Sequence, residues 1–119
     1  MENYMLAGKN DKGSLGQGNT ERYSTFVEVP GIEGTIDEVL CATQSNETTE
    51  GAIIICNNGN LIYGVGFNNG GLFGLGNTTD QRTVKRLEHF EGVKKIAYNG
   101  YLTAIIEQNG ELWVCGRRL

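Results

Sequence analysis

Proline is nearly absent from this chain, one residue in 119, and histidine occurs once, as His89. One proline excludes a proline-rich linker, so the 18 glycines are not half of a disordered proline-glycine mixture. A lone histidine, with no serine or cysteine in a nucleophile elbow, leaves a catalytic triad without candidates. Glu88 beside His89 is not a metal-ligand spacing, and Asp37 and Glu38 would point to opposite faces of a strand. The chain is therefore expected to be no enzyme, with no catalytic residue, cofactor or metal.

Cysteine is scarce and odd in number: Cys41, Cys56 and Cys115, without a C-x-x-C spacing. A disulfide framework or zinc site is not indicated, and three buried thiols in apolar strands are expected, consistent with a reducing compartment. No apolar run is long enough to span a bilayer, and no basic-then-apolar leader follows Met1. An intracellular protein, cytoplasmic or nuclear, is the expectation. Positive charge is also in short supply, ten basic residues against fourteen acids for a net charge of −4. That balance argues against direct nucleic-acid binding, which needs clustered Lys and Arg over phosphates. The deficit lies in residues 1–60, at −6, while residues 61–119 carry +2. Arg82, Lys85, Arg86, Lys94 and Lys95 form the densest basic group, a candidate surface for an acidic protein partner. The alternative is that they are solvated strand edges that discourage edge pairing.

What the chain does contain is a duplicated glycine pattern. Gly8, Asn10, Gly13, Leu15, Gly16, Gly18 and Asn19 recur, 58 residues on, as Gly66, Asn68, Gly71, Phe73, Gly74, Gly76 and Asn77. Such a period suits a module of several short strands, as in a propeller blade. Leu15 and Phe73 are the expected apolar plugs of glycine loops whose backbone approaches a neighbouring blade. A phosphate cradle would need a following helix, and none is indicated after either loop. Downstream, residues 36–42 match 93–98 and residues 52–56 match 103–107. Asn58-Gly59 and Asn109-Gly110 then predict tight hairpin turns with both central residues at positive φ. The second arms, 61–65 and 112–115, place Tyr63 and Trp113 in matched positions, and each runs into a glycine, Gly66 or Gly116. Residues 43–51 lengthen the first copy and read as a surface loop.

These residues resemble the regulator of chromosome condensation repeat family. Its G-x-N-x-x-G-x-L-G-x-G-N segment fits residues 8–19 and, with Phe73 in the leucine place, residues 66–77; its L-x-x-W/C-G ending fits residues 110–116. The middle segment departs, with Asn99 where the family has glycine and Leu102 where it has histidine. The expected fold is all-β, a β-propeller segment of about two four-stranded blades plus a leading strand. The expected organisation is one segment, 1–119, with repeat one at 8–65, repeat two at 66–115, and residues 116–119 opening a third. Two units are a fraction of a ring of about four to eight blades, so adjoining blades or self-association are expected. Three functional readings stand. The first is a non-catalytic protein-protein interaction module in a larger propeller. The second, implied by the resemblance, is guanine-nucleotide exchange on a Ran-type small GTPase. The third is a truncated gene product without independent function.

Overall fold

The computed structural model describes residues 5–8, 12–41, 51–68, 71, 73–88, 92–99 and 102–116. Asn10, His89, residues 43–50 of the insertion read at 43–51, and the terminal Arg117 and Arg118 lie outside these described residues, while Gly51 belongs to a strand. Among the described residues nine strands run in chain order: β1 (Met5–Gly8), β2 (Tyr23–Glu28), β3 (Ile36–Cys41), β4 (Gly51–Cys56), β5 (Leu61–Gly66), β6 (Gln81–Arg86), β7 (Val93–Tyr98), β8 (Leu102–Glu107) and β9 (Leu112–Gly116). They form three antiparallel sheets, ordered β1-β2, β3-β4-β5-β6 and β7-β8-β9. The architecture is all-β, and its segments correspond to propeller blades.

Pairing register shows how closely the repeat is kept. Met5, Leu6 and Gly8 stand opposite Glu28, Val27 and Tyr23, and Tyr63, Gly64 and Gly66 stand opposite Arg86, Lys85 and Gln81. Every partner is shifted by 58, and so is the irregularity, between Leu6 and Gly8 and between Gly64 and Gly66. A second bulge recurs between Ile36 and Glu38 and between Val93 and Lys95. The sheets are out of phase with the sequence units. β6 follows the second glycine loop in sequence yet closes the sheet begun by β3, so one blade joins both repeats.

Strand position follows composition. β4, Gly-Ala-Ile-Ile-Ile-Cys, is apolar on both faces and sits centrally, with Ile53, Ile54 and Cys56 fully buried. Alternation divides its side chains: Ile53 joins Ile62, Phe67, Phe73, Leu87, Val93, Ile96 and Ile105 in a core against the third sheet. Ala52, Ile54 and Cys56 join Tyr63 and Val65 in a core on the opposite face, where Ile32, Val39 and Val84 pack. β6, Gln-Arg-Thr-Val-Lys-Arg, is charged at an edge, where lysine and arginine oppose unwanted pairing.

The turns differ from the two-residue hairpins that Asn-Gly predicts. Cys56 pairs with Leu61, so four residues make the first connection, including a 3-10 turn at Asn57–Gly59. Asn57, Asn58 and Gly59 all have positive φ. Their conformation is held from β3 and the residue before it: the Asp37 carboxylate accepts the Asn58 N–H at 2.6 Å, and Asn57 Oδ1 accepts the Thr35 N–H at 2.8 Å. At the second turn only Gly110 has positive φ. Its N–H donates to the Glu107 carbonyl at 2.9 Å, and Asn109 Oδ1 accepts the Glu111 N–H at 2.9 Å. This is the longer hairpin in which one left-handed glycine follows a turn. One residue fewer here brings Tyr63 and Trp113 into register, opposite Ile54 and Ile105, and takes Leu61 and Leu112 out of it.

Candidate functional site

The first glycine loop touches a neighbouring sheet through bare backbone at Gly13, and the second loop has the same conformation. Gly13, Gly16 and Gly18 in one loop and Gly71, Gly74 and Gly76 in the other all have positive φ. In each loop a turn closes the same way, Gly16 N–H to the Gly13 carbonyl and Gly74 N–H to the Gly71 carbonyl, both at 3.0 Å. Leu15 and Phe73 point inward and are almost inaccessible. Asn19 and Asn77 repeat one local bond, accepting the N–H two residues ahead at 3.0 and 3.1 Å.

Asn68 organises the second loop. Fully buried, it accepts the Phe73 N–H at 3.1 Å, and its amide donates to the Thr79 carbonyl and Asn77 Oδ1, each at 3.0 Å. Its own N–H donates to Asp80 at 2.9 Å. The amides of Gly71, Phe73 and Gly74 are therefore spent on internal acceptors. An anion cradle needs such groups turned outward, so these loops are built to hold shape. The sequence marked Asn68 by its repetition; its role as a hub became visible only from the bonds.

The five basic residues do not form one surface. Arg82, Lys85 and Arg86 are exposed on β6, at one edge of the four-stranded sheet, whereas Lys94 and Lys95 lie on β7 of the third sheet. The β7 lysines line a cleft of about 350 Å³ together with Asp37, Glu38, Asn58 and Gln108. Acids and bases in one cleft offset each other, which removes Lys94 and Lys95 from any purely positive patch.

The thiols also part company. Cys56 is buried, Cys115 is half-buried and Cys41, at the end of β3, is exposed. The expectation of three buried thiols fails at Cys41, which is exposed. Burial raises the Cys115 pKa, and a hydrogen bond with the Gly74 backbone partly opposes the rise. Tyr98 packs against Phe73, and burial lifts its phenol above the ordinary range, with the Cys41 charge adding to the effect.

The third sheet presents an exposed apolar face. Leu102, Ile106, Leu112 and Val114 share it, as the pairs Ile106–Leu112 and Ala104–Val114 require. Leu112 is 64% exposed and Val114 62%. By register, Leu112 and Ile106 are the counterparts of Ile62 and Ile55. Ile62 is only 1% exposed because the third sheet covers it. At the other end Phe26, counterpart of Val84, is 75% exposed. Trp113 is half exposed, its indole N–H donating to Glu107, while Tyr63 is buried and accepts the Glu33 N–H at 3.1 Å. Matched placement therefore gives matched pairing without matched packing. Among the described residues no group of acids, cysteines and histidine is arranged to hold a metal, and no helix is long and apolar enough to cross a membrane.

Stacked antiparallel sheets in repeated register, joined by glycine loops that clasp the next sheet, define a segment of a β-propeller. No family model matches the chain. A Danio rerio protein described as RCC2 homolog is 32% identical over 112 residues, covering 92% of this chain and 21% of that protein. The crystal structure of human WBSCR16 superposes with a TM-score of 0.72 at 17% identity, over 97% of this chain and 34% of that one. The chain thus spans about a fifth of the curated relative and about a third of the solved structure. Its repeats are of the regulator of chromosome condensation type.

Proposed function

We propose that the chain is a non-catalytic protein-protein interaction module that works as part of a larger propeller. The uncovered face of Leu102, Ile106, Leu112 and Val114 carries this reading, because the equivalent face one sheet earlier is buried against its neighbour. Contiguous apolar surface of that kind marks an interaction site. Adjoining blades or a self-associated copy would cover it. The repeat units are taken as 8–65 and 66–115, with 116–119 opening a third. Three free thiols favour an intracellular setting, cytoplasmic or nuclear.

Arg82, Lys85 and Arg86 on the exposed edge strand are the proposed contact for an acidic protein partner. A small GTPase belongs to that class. No particular contact favours nucleotide exchange over binding alone.

Light scattering on a size-exclusion column tests the reading with the wild-type chain and Leu112→Glu. Assemblies above the 13.0 kDa chain mass that Leu112→Glu disperses support it. A wild-type monomer that binds no hydrophobic dye contradicts it.

A further inference from the structure

Two bulged strands, one from each of two neighbouring sheets, bring opposite charges to a single cleft. Consecutive residues of a regular strand face opposite ways. The bulge in β3 leaves Asp37 with no residue opposite it, between Ile36 and Glu38, and the bulge in β7 does the same to Lys94, between Val93 and Lys95. A bulge re-aims side chains. Here both members of each pair, Asp37 with Glu38 and Lys94 with Lys95, line the same cleft of about 350 Å³. The first copy of the repeat therefore supplies an acidic wall, and the second copy, at matching positions, a basic one.

The walls offset each other's field without touching. All four charged side chains are exposed, and among the described residues no ion pair joins acid to lysine across the gap. Asp37 makes one polar contact, accepting the Asn58 N–H at 2.6 Å. Backbone contacts beneath the charges fix the width. Gly59 is pressed against the Val93 carbonyl, which also accepts Gln108 Nε2 at 3.5 Å, and the Gln108 N–H donates to the Gly92 carbonyl at 2.8 Å. The walls cannot close further there. Val93 and Ile96, both buried, and the half-buried Ile55 complete the lining with apolar surface.

We infer that this cleft binds an extended segment of a protein partner in which acidic and basic residues alternate. Successive side chains of an extended segment point to opposite sides, so each acid meets the Lys94 and Lys95 wall while each base meets the Asp37 and Glu38 wall. A segment of one charge sign is repelled by one wall. Each contact is an exposed ion pair, so the complex is weak, with a dissociation constant of about 0.1–1 mM, and weakens further as salt rises. The cleft shares no lining residue with the apolar face of the third sheet or with β6. The inference therefore goes beyond the proposed function and can fail or hold without it.

The peptide acetyl-Glu-Lys-Glu-Lys-Glu-Lys-amide is titrated into the isotope-labelled intact chain, and amide chemical shifts are followed. Saturable shifts at Glu38, Lys95 and Ile96 are expected. A peptide of the same composition in blocks, acetyl-Glu-Glu-Glu-Lys-Lys-Lys-amide, sets one right and one wrong charge on each wall and binds about tenfold more weakly. That arm uses the unaltered protein, so no variant has to fold. Lys94→Glu combined with Lys95→Glu, both at exposed positions, loses the alternating peptide and gains acetyl-hexalysine-amide. Leu112→Glu, outside the cleft, leaves binding unchanged. Absent shifts, equal affinity for the two peptides, or a doubly substituted chain that binds the alternating peptide as the wild type does overturns the inference. Loss of binding in Leu112→Glu also overturns it, since the peptide would then sit on the apolar face.

Discussion

Gly59 lies so close to Val93 that a β-carbon on it would sit 2.0 Å from the Val93 carbonyl oxygen. The same carbonyl belongs to the first residue of β7, so the hairpin of one sheet is pressed directly onto the next. Gly59 also has a φ of +91°, which makes any side chain costly twice over. Gly110 shares the conformation, at +90°, but has open space around it. Gly59→Ala is expected to destabilise by about 3 kcal/mol or more, combining strain with a backbone clash, and Gly110→Ala by about 1 kcal/mol. Gly110→Val should cost about 1–3 kcal/mol. Urea unfolding of the three variants checks the order, and equal losses at Gly59→Ala and Gly110→Ala would remove the inter-sheet contact from the account.

Asn68→Ala should cost about 2–4 kcal/mol, because the Phe73 N–H and the Thr79 carbonyl lose a buried partner together. Asn68→Asp keeps the acceptor for Phe73 and loses the amide donor. It sets a buried carboxylate against the Thr79 carbonyl and Asn77 Oδ1, so its thermal midpoint at neutral pH is expected to fall at least as far as that of Asn68→Ala.

Thiol labelling should follow exposure. Cys41 is expected to react first, Cys115 later because burial raises its pKa, and Cys56 only on unfolding. Mass spectrometry of a timed reaction gives the order, and early modification of Cys56 would mean that the core around β4 is not formed.

The Tyr98 hydroxyl is buried with no hydrogen-bond partner among the described residues. Tyr98→Phe is therefore expected to leave stability unchanged or raise it by up to about 1 kcal/mol at neutral pH. The folded state holds the phenol proton above its ordinary value of 10.0, so this group's contribution is intact below that pH and declines as pH rises through it. Stability of the wild type should fall more steeply above pH 10 than that of Tyr98→Phe. Parallel alkaline denaturation curves for the two proteins would contradict the assignment.

Much of the fold was legible because the repeated glycines occupy conformations few other residues tolerate. Gly13, Gly16 and Gly18, with Gly71, Gly74 and Gly76, stay in phase for that reason. The turns were less legible. Asn-Gly suits a two-residue turn and a longer one alike, and the choice at Asn58 is made by Asp37 and Thr35, far away in sequence. Cys41 was misread for a related reason: alternation tells which face a residue shares, and only what packs on that face decides whether it is covered. The candidate basic surface divided because β6 and β7, adjacent in sequence, belong to different sheets.

Amide hydrogen exchange on the isolated chain tests the central claim most directly, because it reads cover residue by residue. If these sheets are propeller blades with an open end, Ile53, Ile54, Ile62 and Val65 in β4 and β5 should be protected most, since both their faces are packed. Leu112 and Val114 in β9 should exchange fastest among the strands of the third sheet. Protection in β9 equal to that in β5, in a chain shown to be monomeric, would contradict the account.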